Sequence, residues 1–434
     1  MSPWPSASTP ERSRWQDPVA WTVAIFVASI VLQRVSVIPG RSISLSTPII
    51  VAGVLLAWRA GVMRLNRARL GIWVVAAAMS ALVVVPQLAL VGQAHIALSS
   101  WAFWLTVWLP MVMQWRSTHV GDFRRAARAI AVVGLWVSAA SVTFMALQLL
   151  GFPYRDIVAA TVPDALQVKG FVGTYPIEWG SPIVKSNAWV FLEPSFLSFT
   201  LGVCAVCAVA ARMHPLALVT IMLGIASSVA GSGVAVLFVA FVLVVLTGRV
   251  AGLRAHLAWG AALLAIGYLS PLRGLVYDRV GEIAVPGSSS SLRALQPYAT
   301  LWPHWVSDPL RLLFGYGAGS SRVIVEGQDI PGLIVPNVAK LLFDYGLIAG
   351  LALVLALVAA HLYTPYAPLG GSLLFSMLFL QPAVQPLVTC LFLAGTWWAT
   401  DRRLAGTIPS RQRDERVGDD RVHRIDNASV PTPS

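Results

Sequence analysis

From Val19 to Trp398 the chain returns repeatedly to apolar runs of about 15–25 residues, separated by short polar or basic segments. No other feature limits the possible folds so sharply. A run of that length in a bilayer can satisfy its own backbone N–H and C=O groups only as a helix. About 12 such runs are legible, which predicts an all-α fold, a polytopic membrane helix bundle of about 12 transmembrane helices. Composition points the same way, at 57% hydrophobic and 12% charged residues with a mean hydropathy of +0.72. A soluble chain needs no such excess.

The arginines set the expected orientation. Arg59, Arg64, Arg67 and Arg69 fall between the second and third runs, and Arg116, Arg124, Arg125 and Arg128 between the fourth and fifth. Arg212, Arg249 and Arg254 follow later runs. The positive-inside rule places all of these in the cytoplasm, with both termini. The net charge of +12 then reports topology, and no nucleic-acid partner is expected. Two sizeable loops would face outward, 151–189 and 270–336. The second opens with PLRGLVYDRVGEI, which reads as an amphipathic interfacial helix. The last two runs are interrupted by QPAVQP, and no internal repeat is visible. Residues 1–400 are expected as one membrane domain. Residues 401–434, lacking an apolar run, are expected as a disordered cytoplasmic tail. The first residues lack the basic start, short apolar core and small-residue cleavage site of a removed signal peptide.

Polar residues concentrate at two helix starts. The stretch KSNAWVFLEPSFLSFT carries Lys185, Asn187, Glu193 and Ser195, with Pro194 at a first helical position, where its missing N–H is harmless. A carboxylate at the lip of a membrane helix is costly unless it faces a cavity or a partner, so Glu193 is a candidate functional group; the alternative is a simple N-cap. The stretch VPNVAKLLFDYGLIAG places Asn337, Lys340 and Asp344 on one helical face. Both helices would run from outside to inside. Their positive dipole ends, with Lys185 and Lys340, would form an anion site, although Lys340 and Asp344 could instead be a local i,i+4 pair.

Lysine usage sharpens this expectation. Of 31 basic residues only Lys169, Lys185 and Lys340 are lysines, and all three fall outside in this topology. Arg273, Arg279 and Arg293 in the second loop would add bidentate donors for a diphosphate, or contact lipid headgroups. His304 could titrate near neutrality and act as a base, or be a surface residue; His95 is a weaker candidate of the same kind. Cys204, Cys207 and Cys390 sit inside apolar runs and read as packing residues, with no second ligand pair for a metal. The glycine-rich LFGYGAGSS follows no strand and lacks the Lys-Ser/Thr of a nucleotide P-loop.

Together these motifs resemble the O-antigen polymerase (Wzy-type) and O-antigen ligase-like superfamily of bacterial membrane glycosyltransferases. The resemblance rests on KSN…FLEPSFLS, the Ser-rich turn at Ser227–Ala235, the Arg-bearing stretch Ser288–Ser321 and the PN…KLLxDYGL pattern at Pro336–Leu347, and covers roughly residues 130–400. It implies polymerisation of undecaprenyl-diphosphate-linked repeat units at the outer face of the bacterial cytoplasmic (inner) membrane, without metal or other cofactor. It implies that Lys185, Arg273, Arg279, Arg293 and Lys340 serve the diphosphate. Glu193, then Asp344, would serve catalysis, and Asn187, Ser195, Asn337 and His304 would contact the remaining substrate. A flippase and a chain-length regulator are implied partners besides the bilayer. The first outer loop carries only Arg34 and Arg41 as charges, unlike the acidic motif of dolichyl-phosphate-type enzymes. Pro336 stands where ligase relatives carry a His, which favours polymerase over ligase. A flippase or exporter of lipid-linked glycans is the alternative from another class. The QPAVQP break speaks for it, and the missing repeat speaks against it.

Overall fold

The computed structural model describes residues 14–39, 43–90, 95–171, 173–177, 181–247, 291–328 and 333–399. They are mostly helical. Helices α1 (Pro18–Val31) and α2 (Ser46–Arg59) lead to a short strand β1 (Met63–Leu65), then to α3 (Arg67–Leu82) and α4 (Val84–Leu90). Helix α5 (Leu98–Trp108) and a 3₁₀ turn deliver strand β2 (Met113–Trp115), which pairs antiparallel with β1. Next come α6 (Val120–Leu149), α7 (Ile157–Thr161), α8 (Pro194–Ala210), α9 (Pro215–Ser228) and α10 (Ser232–Leu246). After residue 290 the chain forms α11 (Ser291–Ala294), α12 (Gln296–Val306), α13 (Pro309–Phe314) and α14 (Ser320–Glu326). Helix α15 (Asn337–Tyr345), a π-helical turn (Gly346–Gly350) and α16 (Leu351–His361) form one continuous stretch; α17 (Ala367–Phe379) and α18 (Gln385–Leu391), with a second π turn (Phe392–Thr396), complete it.

Among the described residues, three helical stretches are long and apolar enough to cross a membrane: Arg67–Leu90, Val120–Leu149 and Asn337–His361. Eight further apolar helices have 10–17 residues. At 1.5 Å per residue these reach at most about 26 Å, short of a hydrocarbon core about 30 Å thick. By helix length three of the expected spans are present among the described residues, and the all-helical expectation holds apart from the β1–β2 ribbon. The predicted run at 256–269, the interfacial helix after Ser270, Arg273, Arg279 and the tail lie outside the described residues.

Helix α8 is innermost. Every residue from Pro194 to Ala208 is buried, as suits a helix apolar on all sides. Helices α6, α9 and α10 pack around it. The approach of α10 is set by glycine: a Cβ on Gly233 would stand 2.1 Å from the Ser198 carbonyl oxygen, and one on Gly202 would stand 2.8 Å from Gly233 Cα. Ser198 Oγ accepts from Gly233 N at 3.0 Å and donates to the Ala230 carbonyl at 2.7 Å. Small residues allow backbones to meet in this way. The Gly-Ser-Gly at 231–233 is therefore the first turn of α10 pressed on α8, as well as a turn.

The connecting segments gather at two ends. At one end Trp115 N donates to the Trp397 carbonyl at 2.9 Å, and the buried Arg69 places Nη1 2.7 Å from the Thr396 carbonyl. A cation suits these carbonyl-rich helix ends. At the other end the segment after α1 meets the 151–193 loop, through a bridge between Val35 and Gln167 and a bidentate Arg34–Asp156 pair.

Candidate active site at the start of the central helix

The start of α8 lies at that second end. Glu193 adopts the extended conformation of an N-cap residue, but its side chain turns to other partners. It is 7% exposed. Its Oε2 accepts from Ser195 Oγ at 3.0 Å and pairs with Arg293 Nη2 at 3.2 Å. The same Nη2 lies 3.1 Å from Ser195 Oγ, while Nη1 reaches Gln381 Oε1 at 3.4 Å. A carboxylate, a hydroxyl and a guanidinium thus close a triangle, with an amide on its edge.

Gln381 opens the interruption between α17 and α18, where QPAVQP leaves the chain unable to continue a helix. Its main-chain carbonyl accepts from Asn337 Nδ2 at 3.0 Å. The two helix starts singled out in the sequence are therefore joined through Arg293 and Gln381.

Tyr175 stands beside this cluster. Burial pushes its phenol above the ordinary range, the Glu193 charge adds to the rise, and Arg293 opposes it. It is accordingly a neutral hydroxyl at physiological pH. Lys185 is placed next to it, its main-chain N donating to the Tyr175 carbonyl at 2.7 Å.

Asp344 has another role. It is 0% exposed and accepts from Gly319 N at 3.0 Å, Ser321 N at 2.8 Å and Lys340 Nζ at 2.5 Å. Gly315, Gly317 and Gly319 all have positive φ, which turns successive N–H groups inward as a nest. The LFGYGAGSS loop thus wraps the protein's own carboxylate. Asp344 is held here as a buried pin, with Lys340 engaged as its i,i+4 partner.

Asn187 and Asn337 are engaged likewise. Both are buried, with side chains committed internally: Asn187 to the Gly173 carbonyl and Trp189 N, Asn337 to Trp104 Nε1 and the Met377 and Gln381 carbonyls. His304 lies exposed on α12, and its ring makes no hydrogen bond to the Glu193 cluster. Of the expected residues, the structure brings together Glu193, Ser195 and Arg293, with Asn337 one bond removed.

Tyr175 and Gln381 are not among the site residues expected from the sequence. Gln381 had a signal, since it starts the conspicuous QPAVQP break; Tyr175, one aromatic residue in a Gly- and Pro-rich loop, had none. Among the described residues no three of His, Cys, Asp or Glu converge as metal ligands would. A cavity of about 320 Å³, lined by Gln16, Val62, Arg116 and His119 among others, lies at the opposite end of the bundle, beside β1 and β2. Compared with protein-family models, with curated proteins and with solved structures, the chain matches none.

Proposed function

We propose that this chain is a membrane glycosyltransferase that extends glycans carried on undecaprenyl diphosphate, at the outer face of a bacterial cytoplasmic membrane, with the Glu193–Arg293 cluster as its centre. One observation carries the reading. Arg293, 100 residues from Glu193 and 88 from Gln381, bridges the carboxylate at the start of the buried central helix to the amide at the α17–α18 break. The three long helices and the shorter apolar ones would together form about 12 spans, the shorter completed by their flanking turns, with both termini cytoplasmic. The bilayer, a flippase and a chain-length regulator are the partners this reading entails.

The chemistry follows from the groups present. An acceptor hydroxyl oxygen attacks the anomeric carbon, the bond from that carbon to the diphosphate oxygen breaks, and the diphosphate leaves with the electron pair. Arg293 offers a planar fork to its oxygens, and stabilising the leaving charge is the main demand of the step. The hydroxyl proton passes to Glu193. In the resting arrangement Glu193 occupies Arg293. A phosphate competing for the guanidinium would free the carboxylate beside the acceptor, coupling donor binding to base release.

Purified protein in bilayers, supplied with synthetic diphospholipid-linked repeat units, tests the proposal. Chain extension by the wild type and its loss in Glu193→Gln are expected. Full-length glycan ladders from Glu193→Gln would remove Glu193 from the mechanism. Movement of the lipid across the bilayer without extension would favour transport, the reading for which the α17–α18 break speaks.

A further inference from the structure

We infer that Arg34, at the end of α1, is the positioning residue of the Glu193 site, holding a left-handed two-residue turn from which the chain enters that site. The inference rests on the proposed role of Glu193 and adds a residue to it.

Ala188 and Trp189 have φ of 49° and 61°, although neither is glycine. Consecutive left-handed residues with side chains persist only where their surroundings over-determine them, and such strain clusters at functional sites. Here the constraint is explicit. Ala188 N donates to Ser186 Oγ at 3.2 Å, and Trp189 N to Asn187 Oδ1 at 2.9 Å. The Trp189 carbonyl accepts from Arg34 Nη1 at 2.8 Å. The Trp189 ring packs edge-on against Phe144 of α6, with centroids 5.1 Å apart. Leu192 N, next to Glu193, reaches Gln33 Oε1 at 3.4 Å. Adjacent residues at the end of α1 therefore hold both ends of the segment that delivers Glu193.

Arg34 is itself held. Its fork pairs with both oxygens of Asp156, at 2.9 and 2.5 Å, and Asp156 Oδ1 also accepts from Ala159 N in the first turn of α7. The Arg34 carbonyl accepts from Val168 N at 3.0 Å. A neutralised, doubly anchored guanidinium can still give a charge-assisted hydrogen bond to a main-chain carbonyl, and only a planar fork can do both at once. Removing it frees the Trp189 carbonyl and lets the turn relax to negative φ, swinging the chain four residues before Glu193.

The test uses full-length protein in lipid nanodiscs, as wild type, Arg34→Gln, and Arg34→Gln combined with Ala188→Gly. Glycine adopts positive φ without steric cost, so the second substitution compensates the first only if Arg34 acts through the turn. Expected for Arg34→Gln is a fall in kcat of about 10²-fold, the scale of a 1 Å misplacement, with KM for the lipid-linked donor within about twofold. Faster hydrogen exchange at residues 189–192 should accompany it, and both effects should largely reverse in the double variant. An unchanged kcat and exchange in Arg34→Gln, or a loss that Ala188→Gly leaves untouched, overturns the inference. If the wild type extends no glycan, exchange alone decides, since its rise and reversal support the turn whatever reaction the site performs. Should Arg34→Gln not fold, Asp156→Asn keeps Arg34 while removing its anchor, and the same exchange pattern is expected in milder form.

Discussion

Glu193 and Asp344 are both buried carboxylates paired with a cation, yet their remaining partners give them different roles. Asp344 takes two main-chain N–H groups and an ammonium. Asp344→Asn is expected to lower stability by about 3–5 kcal/mol, the cost of leaving a buried charge unpaired, read as a fall in unfolding temperature in detergent. Glu193→Gln keeps an acceptor for Ser195 and Arg293, so stability should change by no more than about 1–2 kcal/mol, while glycan extension falls about 10²–10⁴-fold. The Arg34–Asp156 pair makes a prediction about pH. Burial alone would raise the Asp156 pKa, but hydrogen bonds from Arg34 and Ala159 N outweigh it, and the net shift is downward. A lowered carboxylate pKa contributes stability that is complete above the ordinary carboxylate range and lost as pH falls through the lowered value. Exchange protection across 151–168 should therefore be flat from pH 7 to about 5 and collapse only below about pH 4. Protection already failing at pH 6 would contradict the pairing. The sequence showed Asp344 and Lys340 sharing a face, but not the two N–H donors, which arrive from a loop 23 and 25 residues upstream.

At the scale of elements, helix boundaries were the most legible feature. The apolar pattern predicts a helix from Asn337 to His361, which the structure contains, and it marks the break at QPAVQP that separates α17 from α18. Helix α6 starts at Val120, about one turn upstream of Arg124 and two turns upstream of Arg128, because arginine favours helix and lets its head reach water past the apolar edge. The β1–β2 ribbon was not legible, since three-residue strands are too short to show alternation. Two glycines separate strain from crowding. Gly61 has φ 73° with open space around it, so Gly61→Ala should cost about 1–2 kcal/mol. Gly346 has φ 66°, and a Cβ there would stand 2.3 Å from the Leu313 carbonyl oxygen. Gly346→Ala should abolish recovery of folded, monodisperse protein, whereas Gly61→Ala should express normally. Equal yields would contradict the close packing of α13 against the π turn.

For the whole molecule, the hydropathy pattern made the helical class legible, and loop charge supplied an expected sidedness. Pairing across the chain was not legible, because nothing local to Arg293 indicates that Gln381 and Glu193 flank it. Sidedness can be measured directly. The native Cys204, Cys207 and Cys390 are all buried, giving a quiet background for aqueous thiol reagents. Single cysteines at the exposed positions Lys169 and Arg322 should label from one side of the membrane, and those at Arg116 and His214 from the other. Labelling of Lys169→Cys and Arg116→Cys from the same side would sink the twelve-span arrangement.

The glycine loop around Asp344 also makes the protein a host for a guest it already carries. Cutting that guest back, as in Asp344→Ala, leaves two N–H donors and an ammonium around a vacancy shaped for a small carboxylate. Formate added from outside would then act as a prosthetic side chain, raising the unfolding temperature of the variant and not that of the wild type.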